Sequence, residues 1–234
     1  MVTALQIVAA HVASLLAIGV LAGAAVRRRW PRSVLFCLLM VSVPPSQIGP
    51  AWWPERFFNW STWLGTESAH ALLTLGSAAE MTKHMFLGVP RALVTARTVL
   101  LLVLTASLLV VVTALGSAGP KLEELALALT PRLWIGALVA YLGVLLCAAY
   151  YYFPVDEWHE AIIIGFVVYL LLYAVSYQAL GTFGWGLREG VGDATQGGFI
   201  LTLGYWCYAA WRRDPPTPAD LLPLLRRTQP WRFS

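Results

Sequence analysis

The chain has 234 residues, of which 59% are hydrophobic and 12% charged, with a mean hydropathy of +0.68 and a net charge of +4. That balance excludes a water-soluble domain, and the length has room for about six to eight membrane-crossing helices and little else. The positive charge points to anionic lipid headgroups, not to nucleic acid, because its distribution follows the membrane topology read below.

Apolar stretches near 4–26, 33–53, 58–86, 94–116, 133–153, 159–181 and 194–211 are each long enough to cross about 30 Å of hydrocarbon. The expected fold is therefore all-α: one polytopic domain over 1–213 with seven transmembrane helices, then a short cytoplasmic tail over 214–234. Basic residues concentrate on the cytoplasmic side of membranes. With the N terminus outside, twelve of the 16 Lys and Arg fall inside, and only Arg56, Lys121, Arg132 and Arg188 fall outside. The chain is thus expected in the bacterial cytoplasmic membrane as a multi-pass protein with a cytoplasmic C terminus.

The first stretch resembles a secretory signal in its small residues at Ala22 to Ala25, but its basic cluster, Arg27 to Arg29, follows the apolar run instead of preceding it. A retained first helix is expected. In the second stretch only eleven residues, Ser33 to Val43, precede Pro44 and Pro45, about 16 Å of helix at 1.5 Å per residue. Two adjacent prolines remove two backbone donors, so a kink or break within one turn of Pro44 is expected, close to Ser46, Gln47 and Gly49. Trp52, Trp53, Phe57, Phe58, Trp60 and Trp63 around Pro54-Glu55-Arg56 form an aromatic belt at the outer headgroup level. Asn59-Trp60-Ser61 fits a glycosylation tripeptide, but a site in the membrane interface is a poor acceptor.

The third stretch carries Glu67, His70, Glu80 and His84 on one broad helical arc. An ionisable group in a bilayer normally faces the bundle interior, because lipid exposure costs several kcal/mol, which makes Glu67 and His70 the leading candidates for ligand binding or proton carrying. Glu67 and His84 are about 25 Å apart along the helix, so the four cannot share one metal. Glu67-x-x-His70 has the spacing of di-iron helices, but no second copy exists, and no metal or cofactor is expected. The bland alternative is a hydrogen-bonded pair that stabilises the bundle. Glu80, Lys83 and His84 fall at the cytoplasmic helix end, where cationic groups complement the helix dipole.

Pro120 opens a short segment, with Leu122, Leu125, Ala126 and Leu129 at helical spacing, expected to lie on the outer interface as a separate helix. Asp156-Glu157-Trp158-His159-Glu160 looks like an acid-base cluster, yet it begins a helix, where Asp156 serves as N-cap and acidic groups favour the positive helix end. Asp193 is expected to cap the seventh span in the same way. Tyr169, Tyr173 and Tyr177 form an i, i+4, i+8 stripe that either packs an interface or lines an aromatic pocket for a small apolar or cationic ligand. Gln6 and His11 read as packing residues. Cys37, Cys147 and Cys207 each fall within a span and imply no disulfides.

No phosphate loop, zinc motif, nucleophile elbow or cysteine cluster occurs, and Lys83 and Lys121 are the only lysines, so a retinal Schiff base in the last helix is excluded. No catalytic residues are assigned. The first helix ending in Arg27-Arg28-Arg29, the run Phe58 to Trp63 leading to Glu67, Glu80 followed by Phe86, the His159 to Tyr173 helix and the Tyr205 to Pro216 end together resemble an uncharacterised family of small bacterial seven-helix membrane proteins. That architecture is also similar to the membrane input regions of bacterial histidine kinases, without the kinase. The resemblance implies a sensing or docking role with a cytosolic or membrane protein partner. Three functions follow from these residues: a non-enzymatic sensor or scaffold binding a small ligand or a membrane partner, a proton-coupled carrier using Glu67 and His70, or a small intramembrane enzyme. Glu67, His70, Gln47 and Tyr173 are the candidate site residues.

Overall fold

The computed structural model describes residues 4–57, 60–86, 94–95, 97–98, 102, 105, 122–150 and 155–213. Among these residues the secondary structure is helical throughout, without strands. The helices are α1 (Ala4–Val26), α2 (Val34–Trp52), a four-residue α3 (Pro54–Phe57), α4 (Trp60–Phe86), α5 (Leu122–Tyr150), α6 (Glu157–Phe183) and α7 (Arg188–Trp211). Four of them contain windows long and apolar enough to cross a membrane: Ala4–Val26, Val34–Trp52, Arg132–Tyr150 and Glu157–Leu180. The expected fourth span, near 94–116, the tail over 214–234, and Phe58, Asn59, Pro120 and Lys121 lie wholly or largely outside the described residues.

The six long helices close a ring, with α1 packed on α2 and α7, α2 on α4, α4 on α5, α5 on α6, and α6 on α7. The α1 side of this packing is a stripe of small residues, Ala10, Ala13, Ser14, Ala17, Gly23 and Ala24, which brings backbones close and gains dispersion contact. Leu5, Leu15, Leu146, Leu171, Val175 and Leu201 point outward and are more than half exposed. An outer surface of this kind belongs in hydrocarbon, since water would penalise so large an apolar area.

Side-chain contacts define one end of the ring. Arg29 donates to the carbonyls of Ala209 (2.6 Å) and Arg212 (2.9 Å) at the end of α7, and its guanidinium lies 5.4 Å from the Trp158 ring centroid. Glu80, near the end of α4, accepts from the backbone N–H groups of Val34 and Leu35, both at 2.9 Å. A carboxylate on one helix thus caps the N terminus of another, satisfying donors that Ser33 leaves open. His84 stacks on His159 with centroids 6.1 Å apart. The ends of α1, α4 and α7 and the starts of α2 and α6 therefore meet at this end.

Four expectations change in three dimensions. Of the kink or break expected near Pro44, the break does not occur: helix α2 continues from Val34 to Trp52 through Pro44, Pro45 and Pro50. The prolines remove three donors and crowd the carbonyls of Met40, Val41 and Ser46, which are left short of partners, and packing on α1 and α4 holds the helix through that loss. The separate interfacial helix near 120–129 is absent as such, because residues 122–150 form one helix that runs through Pro131. Asp193 does not cap a helix: α7 starts at Arg188, after the turn at Gly184 and the 3₁₀ segment Trp185–Leu187, so Asp193 is already in its second turn. Asp156 occupies the N-cap position of α6, with the Glu160 N–H bonded to its carbonyl at 2.9 Å, but its carboxylate makes no cap bond. It turns instead to His159 Nδ1 (3.5 Å) and Arg32 (3.8 Å), where a cation is available.

Candidate functional site

A cavity of about 680 Å³ lies inside the ring, walled by α2, α4, α5, α6 and α7. Its floor is aromatic. Phe166 and Trp206 pack at 4.7 Å between centroids, Trp206 sits edge-on to Phe36 at 5.1 Å, and Tyr141 stacks on Phe166 at 4.6 Å. The Trp206 indole N–H donates to the Ala161 carbonyl at 3.1 Å, which fixes the ring across the bundle. From this floor the lining rises through Val43, Gln47 and Pro50 on α2, His70 and Glu67 on α4, and Tyr173, Tyr177 and Leu180 on α6. The cavity thus occupies the half of the ring away from the arginine-rich end.

All four sequence candidates, Glu67, His70, Gln47 and Tyr173, border this cavity. Glu67 Oε2 accepts the indole N–H of Trp134 on α5 at 2.9 Å. The His70 ring faces the backbone carbonyl of Ser42 on α2, and its Nε2 is buried with no hydrogen-bond partner among the described residues. Glu67 and His70 therefore reach different helices; the three-residue spacing puts them on one face, but no bond between them is found among the described residues. Gln47 Oε1 accepts from Gln196 Nε2 at 3.0 Å, closing α2 against α7.

Tyr173 stacks on Tyr177 at 4.4 Å, tilts against Trp134 at 5.5 Å, and lies 6.2 Å from Tyr169. All three tyrosines line the cavity together with Glu67. The stripe on α6 and the acid on α4 are thus two sides of one chamber.

Residues not singled out from the sequence complete the site. Trp134 supplies the hydrogen bond to the acid, Gln196 pairs with Gln47, and Thr74 lines the floor with a buried hydroxyl that has no partner among the described residues. Thr74 was detectable, since Glu67, His70 and Thr74 follow i, i+3, i+7 on one helical face. Trp134 and Gln196 carried no such signal, because their roles arise from contacts across 67 and 149 residues. Among the described residues no three His, Cys, Asp or Glu side chains gather as a metal site requires. No known protein family, curated protein or solved structure matches the chain.

Proposed function

We propose that the chain is a seven-span protein of the bacterial cytoplasmic membrane, N terminus outside, that binds a small ligand in the central cavity and acts as a non-enzymatic sensor or scaffold. The observation that carries this reading is the convergence of Glu67, His70, Gln47 and Tyr173 on one cavity of about 680 Å³. That volume falls in the usual range of small-molecule pockets, about 300–1,000 Å³, and the wall combines many aromatic faces with a few polar groups, as such pockets do. Support for the orientation comes from the end of the ring where Arg27, Arg28, Arg29, Arg32, Lys83, Arg212 and Arg213 gather. The cavity then lies in the outer half of the bundle and the basic end faces a cytosolic partner, in keeping with the resemblance to kinase input regions.

Binding is tested with the purified full chain in detergent, by titrating the neutral aromatic probe triphenylphosphine oxide against empty micelles and following tryptophan fluorescence, since Trp134 and Trp206 border the cavity. Saturable quenching is expected, weakened about tenfold or more by Thr66→Phe, which narrows the chamber. Absence of saturation by this probe and by cationic and anionic probes of similar shape would refute the ligand-binding reading.

A proton-coupled carrier is the second reading, favoured by the placement of an acid and an imidazole on one face of α4 against the same cavity. It predicts substrate-driven pH changes inside proteoliposomes, which a sensor does not produce.

A further inference from the structure

We propose that the cavity takes a lipophilic organic cation, with Glu67 as its counter-ion and the faces of Trp134, Tyr169, Tyr173 and Tyr177 as its walls. The inference rests on the ligand-binding reading above and narrows it to one charge class. It starts from an imbalance. Glu67 is an acid inside the bundle, and no Lys or Arg is found among the described residues that line its chamber. The Trp134 indole occupies one acceptor direction of the carboxylate, out of about four. An ionised carboxylate in a low-dielectric interior is costly, so an uncompensated acid there holds its proton, and a bound cation that compensates the charge favours the ionised form and is bound by it in return. Among the described lining residues the imidazole of His70 is the one group able to carry a positive charge, and no permanent cation stands beside the carboxylate, a place that a cationic ligand would fill.

The walls favour the same charge. An aromatic face presents negative quadrupole density and attracts cations, most strongly once water has been displaced. Here Tyr169, Tyr173 and Tyr177, and the Trp134 indole bonded to Glu67, line the same cavity as that acid. A purely apolar guest would be served by Leu and Ile walls, which need no acid. The size argues against a bare metal ion, whose binding requires oxygen ligands within about 2–3 Å on all sides. A chamber of about 680 Å³ fits instead a cation wrapped in several apolar groups.

Three probes of similar shape and different charge decide the matter: tetraphenylphosphonium, tetraphenylborate and triphenylphosphine oxide, each titrated into the full chain in detergent with empty-micelle blanks. Phosphonium is expected to bind saturably and about tenfold or more tighter than the borate and the oxide. Glu67→Gln is expected to remove that preference, weakening phosphonium about tenfold and leaving the oxide unchanged. Equal binding of the three probes by the wild type, or an unchanged phosphonium affinity in a folded Glu67→Gln protein, overturns the cation assignment while leaving the cavity as a ligand site. Absence of saturable binding for every probe overturns both. Should Glu67→Gln fail to fold, the wild-type comparison across the three probes decides by itself.

Discussion

Arg28 holds a positive φ of 54°, a left-handed conformation that a side chain with a Cβ adopts at some cost. The reason lies in the hydrogen bonds around it. The Arg29 N–H returns to Ala24 and the Arg28 N–H to Ala25, the paired bonds that end a helix when the intervening residue is left-handed. Glycine is the usual occupant of such a position, and here arginine accepts strain so that positive charge stays at this end. Arg28→Gly should therefore raise the unfolding free energy by about 1 kcal/mol, measured by thermal unfolding of the purified protein in detergent. A lowered melting temperature would mean that the Arg28 charge contributes more than the backbone strain removes. Glu80 shows the complementary lesson. Its position placed it at the cytoplasmic end of α4 beside Lys83 and His84, and its carboxylate caps α2, a contact 46 residues back along the chain.

At the scale of elements, small residues set how closely helices approach. Gly165 on α6 lies directly against the Trp206 indole of α7, with no space there for a Cβ atom. Because that indole also donates to Ala161 and forms the cavity floor, it has little freedom to retreat. Gly165→Ala should push α6 and α7 apart and cost about 1–3 kcal/mol of stability, read as a lower melting temperature and a red-shifted tryptophan emission. No change in either would show that the Trp206 ring moves freely. Helix α2 teaches the opposite case: three prolines fall within it, yet the helix continues, held by its packing on α1 and α4. The Ser42 and Ser46 hydroxyls donate to Leu39 and Val43 carbonyls at 2.7 and 2.9 Å.

For the whole molecule, orientation is the first property open to experiment. Reporter fusions after Arg213 should score cytoplasmic, and fusions near Lys121 external, as the twelve-to-four division of the 16 basic residues implies. The reverse result at both sites would overturn the proposed topology. The cavity would then lie in the cytoplasmic half of the bundle.

Composition and apolar run length determine by themselves that the chain is helical and has segments able to cross a membrane, because a backbone in hydrocarbon must satisfy its hydrogen bonds locally. The bounds of α1, α2, α4 and α6 follow from the same runs, and Glu67 and His70 mark the inward face of α4, since a charge facing lipid is too costly. Which helix each of those residues meets is not written in any local pattern. Trp134 reaches Glu67, Gln196 reaches Gln47 and Arg29 reaches the end of α7 only because six helices close into a ring. The continuity of α5 through Pro131, the early start of α7 and the turn of Asp156 toward Arg32 were likewise decided by packing, which outweighs preferences of a kcal/mol or so at single positions. Periodicity could show that Glu67 and the tyrosine stripe each sit on a face; only the tertiary structure set those two faces opposite each other and left a chamber between them.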